Sequence, residues 1–96
     1  MTKFITRIEL FGAPTHGVYQ SLNAAMHAAK FSSTVTLIGI SYLLPKGEFI
    51  WEGAETTNAV EALAVETALP VWQDFAVMVT KTESRIGFHN LKPESN

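Results

Sequence analysis

The chain has 96 residues, of which 47% are hydrophobic and 17% are charged, and its formal net charge is −2 at pH 7. This length predicts one domain, and the large apolar fraction excludes an intrinsically disordered chain. The absence of cysteine excludes disulfides and thiolate metal sites, while the acidic balance disfavours tight, sequence-independent binding to nucleic acid.

The first half of the chain predicts a strand, a helix and a second strand. Residues Phe4–Phe11 alternate between an apolar face and a mixed face, which is typical of a sheet covered on one side. Thr15 is suited to cap a helix that runs to about Lys30. The apolar segment Val35–Leu44 predicts the second strand, and the turn residues Leu44–Glu48 predict a hairpin to the next one.

The second half of the chain predicts the same elements in the same order. Phe49–Glu52 is a short third strand, and either Thr57 or Asn58 can cap a second helix. That helix ends at Leu69 because a proline follows. The alternating segment Asp74–Lys81 predicts the fourth strand.

This order of elements predicts an α+β fold of the ferredoxin-like βαββαβ type. Two right-handed strand–helix–strand units joined by a hairpin give a four-stranded antiparallel sheet with two helices on one face. We expect residues 1–91 to form this domain and residues 92–96 to form a flexible tail. The second sheet face stays uncovered, and Val65 and Leu69 add apolar surface on the second helix. These features predict a homodimer or a partner-binding surface, with a wide core stripe as the alternative.

The sequence contains no recognisable metal-binding or cofactor-binding pattern. His16, His27 and His89 lack the spacing of helical metal ligands, and Asp74 is the only aspartate. No serine lies in a nucleophile elbow, and no glycine-rich loop follows a strand as phosphate binding requires. We therefore expect no metal and no cofactor, and we assign no catalytic residue.

A metal-free ribonuclease needs only an acid, a base and cations that stabilise the phosphate. Arg7 and Glu9 share the less apolar face of the first strand, where an ion pair on a solvated face is the alternative interpretation. Together with Lys46, Arg85 and His89, Arg7 is a candidate RNA contact.

The segment that follows Lys46 has some features of an RNA-recognition signature. Phe49 and Trp51 lie on the same face of a strand, as base stacking requires. However, Glu48 stands where an aromatic residue is expected, and the chain is acidic. Buried packing of the two aromatic residues is the favoured interpretation.

Over roughly residues 3–91 the chain resembles the GhoS family, a former domain of unknown function. The similarity consists of the element order and four short motifs, Phe31–Ser33, Leu44-Pro45, Phe75–Thr82 and Phe88–Leu91. These are small bacterial proteins of ferredoxin-like fold, and the founding member is a type V antitoxin that cleaves the messenger RNA of its toxin. The resemblance implies a ferredoxin-like fold and an RNA-directed function.

Charges expected from this resemblance are absent at two places. The first helix reads Ser21–Asn23 where arginines are expected, and the first strand ends in Leu10-Phe11 where an aspartate is expected. No catalytic residue therefore carries over, and whether the protein is an enzyme stays undecided.

Two functions remain open from the sequence. The first is a GhoS-like antitoxin or RNA-directed regulator, with metal-independent endoribonuclease activity as a candidate. The second is a non-catalytic protein-binding module, such as a phage or mobile-element inhibitor of a host defence complex. The expected partners are a second copy and either RNA or a host protein complex, with no membrane. Because Met1–Phe4 lack a secretory signal pattern, we expect a cytoplasmic location.

Overall fold

In the computed structural model, which describes residues 2–94, two helices and five strands follow one another along the chain. In chain order they are β1 (Lys3–Leu10), α1 (His16–Ala28), β2 (Thr34–Leu37), β3 (Ile40–Leu43), β4 (Glu48–Glu52), α2 (Thr57–Ala68) and β5 (Phe75–Thr82). The predicted α+β class is confirmed. Within the described residues, neither helix is long and apolar enough to cross a membrane.

A three-stranded antiparallel sheet in the order β4-β1-β5 forms the centre of the fold. Ile5 in the middle strand lies opposite Ile50 of β4 and Thr80 of β5. Alternate side chains of β1 are buried against the helices: Phe4, Thr6, Ile8 and Leu10. We call this side the inner face, and we call the side that carries Arg7 the outer face.

The core joins the inner face to both helices. Leu22 and Met26 are the buried residues of α1, and Val60, Ala64 and Ala68 are those of α2. Their spacing of four places each set on one side of its helix. All five belong to the same buried cluster as the inner-face residues of the sheet. Burial of a large apolar side chain stabilises the fold by about 1.5–3 kcal/mol.

Helix α1 has the N-cap predicted from the sequence and a well-defined C-terminal motif. The hydroxyl oxygen of Thr15 accepts a hydrogen bond from the amide of Val18 at 3.3 Å. At the other end, the amide of Phe31 donates to the carbonyl of Met26 at 2.9 Å. This closure places Lys30 at a φ of 74°, the left-handed conformation that such motifs require.

The N-cap of α2 differs from the prediction by one or two residues. Thr56, rather than Thr57 or Asn58, has the extended backbone of a capping residue, with φ −95° and ψ 156°. Its hydroxyl oxygen accepts from the amide of Ala59 at 3.1 Å. Residues 56 and 57 are both threonine, so the sequence did not show which of them caps the helix. The predicted end of the helix is confirmed, since Leu69 is its C-cap.

The prediction of one long strand over Val35–Leu44 is wrong. A two-residue turn, Ile38-Gly39, divides the segment into β2 and β3, which pair as an antiparallel hairpin with Leu37 opposite Ile40. Both turn residues have positive φ values, 50° and 75°. Such turns usually carry Asn-Gly or Asp-Gly, so an apolar residue at the first position concealed the turn.

The hairpin is a separate two-stranded sheet, and within residues 2–94 the expected four-stranded sheet is replaced by three strands plus this hairpin. The connection is an isolated bridge between Ser32 and Ile50. The amide of Ser32 donates to the carbonyl of Ile50 at 2.8 Å, and the reverse bond measures 2.9 Å. The chain therefore touches the free edge of β4 and then turns away into the hairpin.

Part of the segment predicted as a flexible tail, residues 92–96, is hydrogen-bonded to the hairpin. The amide of Leu43 donates to the carbonyl of Lys92, and the amide of Glu94 donates to the carbonyl of Ser41, both at 2.8 Å. Pro93 forms a bridge with Tyr42. Residues 92–94 thus lie along β3, whereas residues 95–96 lie outside the described part of the chain.

Candidate functional site

The four candidate RNA contacts lie in four different surface depressions. Arg7 lines a shallow one on the outer face, and Lys46 lines another beside α1. Arg85 and His89 follow β5 in the chain, and each faces a different groove. The structure therefore places these residues but does not assemble them into one cationic surface.

Arg7 is exposed in the middle of the outer face. In the register of the sheet it lies opposite Glu48 of β4 and Met78 of β5. Glu9 follows on the same face, opposite Ala76. Two acidic residues are thus close to Arg7 in the register of the sheet, Glu48 across the strands and Glu9 along β1. Opposite charges therefore alternate with Arg7 on this exposed face.

Lys46 contacts an aromatic ring of the protein itself. Its ammonium nitrogen lies 4.4 Å from the centroid of the Tyr19 ring. Cation–π contacts of this kind contribute about 0.5–1 kcal/mol at exposed sites. Lys46 therefore attaches the loop before β4 to helix α1.

A groove with a volume of about 470 Å³ lies on one side of the protein. It lies between the first strand of the hairpin, the end of β4 and the segment after β5. Two cations, Lys3 and Arg85, line it together with Glu52. Its apolar walls include Ile50 and Phe88. The groove can accept an extended segment with mixed polar and apolar groups, and it combines two cations on one surface.

Hydroxyl groups in and beside this groove are engaged in hydrogen bonds within the protein. The hydroxyl of Ser32 donates to the carbonyl of Thr34 at 3.0 Å. Farther along the hairpin, the hydroxyls of Thr36 and Ser41 lie 3.1 Å apart. These bonds stiffen the hairpin.

The tip of the hairpin is the most exposed large apolar feature of the described residues. Ile38 is 91% exposed, and Ile40 is 49% exposed. Ile38 also has a φ of 50°, a conformation that β-branched residues rarely adopt because the side chain crowds the backbone. Exposure and backbone conformation are thus both unfavourable for isoleucine at this position.

The two aromatic residues of β4 pack in the protein, as the favoured interpretation states. Phe49 is buried on the inner face. Trp51 meets the ring of Phe4 edge to face, with centroids 5.8 Å apart. A Cβ atom at Gly53 would lie 2.7 Å from the Trp51 ring, so the glycine leaves room for the indole. Neither aromatic side chain lies on the outer face.

The three histidines lie apart from one another in the described part of the chain. Among residues 2–94, no three His, Asp or Glu side chains come close enough together to hold a metal ion. His16, His27 and His89 lie at separate places, near the start of α1, near its end and in the segment after β5.

No protein-family model, no curated protein and no solved structure matches this chain. The functional proposals below therefore depend on the geometry of the protein and on its sequence.

The hairpin tip is the functional candidate that the sequence analysis missed. The available signal was the dipeptide Ile38-Gly39 in the middle of an otherwise continuous apolar run. A glycine inside an apparent strand indicates a turn or a bulge. Most of the flanking residues are β-branched or aromatic, however, and they favoured one uninterrupted strand.

Proposed function

We propose that this protein is a non-catalytic protein-binding module that inserts the tip of its β2–β3 hairpin into an apolar cleft of a partner protein. The single observation that carries the proposal is Ile38, a highly exposed β-branched residue at positive φ. A residue held in this conformation lowers stability by about 1–3 kcal/mol. Residues with such costs cluster at functional sites.

The chemistry of the tip supports a protein cleft as its target. The segment from Thr34 to Leu43 contains no charged residue. Removing an isoleucine side chain from water yields about 1.5–3 kcal/mol. An RNA backbone offers no comparable apolar surface, whereas a protein groove does.

The hairpin is held in place by the rest of the fold, which lowers the entropy lost on binding. The ring of Tyr42 packs against that of Phe88 with centroids 5.1 Å apart. Residues 92–94 pair along the free edge of β3. A preorganised segment loses less conformational freedom when it docks.

The strand order supports a ferredoxin-like arrangement as the scaffold. In that arrangement the strand before the second helix and the last strand both flank the first strand, as β4 and β5 flank β1. The Ser32–Ile50 bridge occupies the place of the remaining strand. In this interpretation the hairpin replaces most of that strand and projects from the sheet. A host protein complex is the class of partner expected for such a module.

Affinity capture from lysate of the source organism tests the proposal. Wild-type protein and an Ile38→Asn variant serve as bait, with Val65→Asn as the control because Val65 is a partly exposed residue of α2. We expect the same stoichiometric protein with wild-type and Val65→Asn baits, and its loss with Ile38→Asn. Undiminished capture by Ile38→Asn would overturn the proposed role of the tip.

A second candidate function, RNA-directed regulation of the GhoS-like type, is favoured by one observation. Lys3 and Arg85 line the same groove, and cationic side chains of this kind contact the phosphates of nucleic acids. The acidic residue Glu52 in that groove weakens this candidate.

Binding and cleavage of a labelled RNA panel at low salt test the second candidate. If RNA binds in this groove, Arg85→Ala and Lys3→Ala should weaken binding more than Arg7→Ala does. Arg7 lies in a separate depression. Each phosphate contact contributes a slope of about −0.7 in the logarithmic salt dependence for single strands. Finding neither cleavage nor salt-sensitive binding would eliminate this candidate.

A further inference from the structure

Strand β5 forms one edge of the central sheet, and that edge is open. The amide of Phe11 donates to the carbonyl of Asp74 at 2.9 Å. Because hydrogen-bonding direction alternates along an antiparallel strand, the backbone groups of even-numbered residues in β5 point toward β1. Those of Phe75, Val77, Val79 and Lys81 point away, and none has a hydrogen-bond partner within residues 2–94.

Few features of β5 protect this edge against pairing. The strand is eight residues long, contains neither proline nor glycine, and carries one charged residue, Lys81. Proteins usually protect an edge of this length with several charges, a proline, a bulge or a covering segment. Two features favour an occupant for this edge. Its backbone groups are open, and Met78, on the outer face, is 69% exposed.

We propose that the occupant is a second copy of this chain, paired antiparallel along β5 with Met78 on the two-fold axis. In this register Val77 lies opposite Val79 of the second copy, and Phe75 lies opposite Lys81. All outward-pointing amides and carbonyls of the two strands then find partners. The two sheets join into one continuous sheet across the dimer, and neither copy keeps an open β5 edge.

The side chains favour this register over the registers that are shifted by two residues. Lys81 meets an aromatic ring instead of another lysine, so no like charges lie opposite each other. Met78 meets its own copy at a position where backbone hydrogen bonds point away, which is where cross-strand side chains approach most closely. A shift by two residues in either direction leaves outward-pointing groups at one end of β5 without a strand residue opposite.

Cysteine cross-linking tests the register directly because the chain contains no cysteine. In a non-hydrogen-bonded pair the Cα atoms lie about 4.5 Å apart, within the range that a disulfide spans. Under mild oxidation we therefore expect Met78→Cys to form a covalent dimer. The control, Thr80→Cys, lies on the same face two residues away. In the proposed dimer the two introduced thiols are four residues apart along the strands, at roughly 13 Å, and should not cross-link.

Light scattering after size-exclusion chromatography tests the dimer without any cross-link. We expect a wild-type dimer, monomers for Met78→Lys and Met78→Glu alone, and a restored dimer when the two variants are mixed. A wild-type monomer at high micromolar concentration, or equal cross-linking of both cysteine variants, would overturn the inference. Ile38→Asn should remain a dimer, so the failure of this proposal is distinguishable from that of the hairpin proposal.

Discussion

Gly47 and Ile8 are in direct backbone contact where the loop before β4 meets the central strand. The amide of Ile8 donates to the carbonyl of Gly47 at 2.7 Å. Gly47 has a φ of 84°, and a Cβ atom there would overlap the carbonyl oxygen of Ile8. Glycine is therefore required at position 47 for two separate reasons, conformation and space.

We expect Gly47→Ala to lower the free energy of unfolding by more than about 2 kcal/mol. Urea denaturation followed by tryptophan fluorescence measures the change. Gly39→Ala is the matched control, because Gly39 also has a positive φ, 75°, but has no atom near its Cβ position. The control should lose only the conformational part, about 1 kcal/mol. Equal losses for the two variants would contradict the predicted steric overlap at Gly47.

Thr6 is fully buried on the inner face, and its hydroxyl has no hydrogen-bond partner among the described residues. We expect Thr6→Val to raise the free energy of unfolding by about 1 kcal/mol, since it removes an unpaired polar group and keeps the shape. Thr6→Ser retains the hydroxyl and removes a methyl group, so it should lower stability by about 1 kcal/mol. A Thr6→Val variant that is no more stable than the wild type would show that the hydroxyl has a partner in solution.

Ile38→Asn should raise stability while it abolishes partner binding. Asparagine adopts positive φ readily, so we expect a gain of about 1 kcal/mol in the free energy of unfolding. Ile40→Asn is the control, since Ile40 is exposed but lies in β3, where asparagine is unfavourable. A loss of stability in Ile38→Asn would show that the tip has a structural role.

The contact between Lys46 and Tyr19 can be measured by a double-mutant cycle. We expect Lys46→Gln to cost about 0.5–1 kcal/mol in wild-type protein and close to nothing in a Tyr19→Leu background. Denaturation of the four variants gives the coupling energy. An equal cost in both backgrounds would mean that the ammonium does not interact with the ring.

The sequence was sufficient to predict those strands in which burial of one face enforces an alternation of apolar and polar residues. The strict alternation over Phe4–Phe11 and Asp74–Lys81 predicted β1 and β5 to within one residue at each end. One face of each strand packs on the core, and a shift of one residue would expose the whole apolar set. The cap at Thr15 was equally clear, because a single threonine precedes α1.

The hairpin and the candidate site could not be predicted in the same way. Val35–Leu44 is apolar on both sides of the turn, so no change of period indicated the division at Ile38-Gly39. Lys46 and Arg85 lie in loops whose paths depend on backbone pairing with distant segments. Their separation on the surface therefore follows from the tertiary fold, which local patterns do not specify.

In the part of the chain that the structure describes, no residue of β2 or β3 belongs to the buried core. Substitutions in the hairpin therefore leave the packing of the helices on the sheet unchanged. Residues at the tip can therefore change without compromising the ability of the chain to fold. If the tip binds a partner as proposed, changes of specificity need not compete with the stability of the rest of the domain.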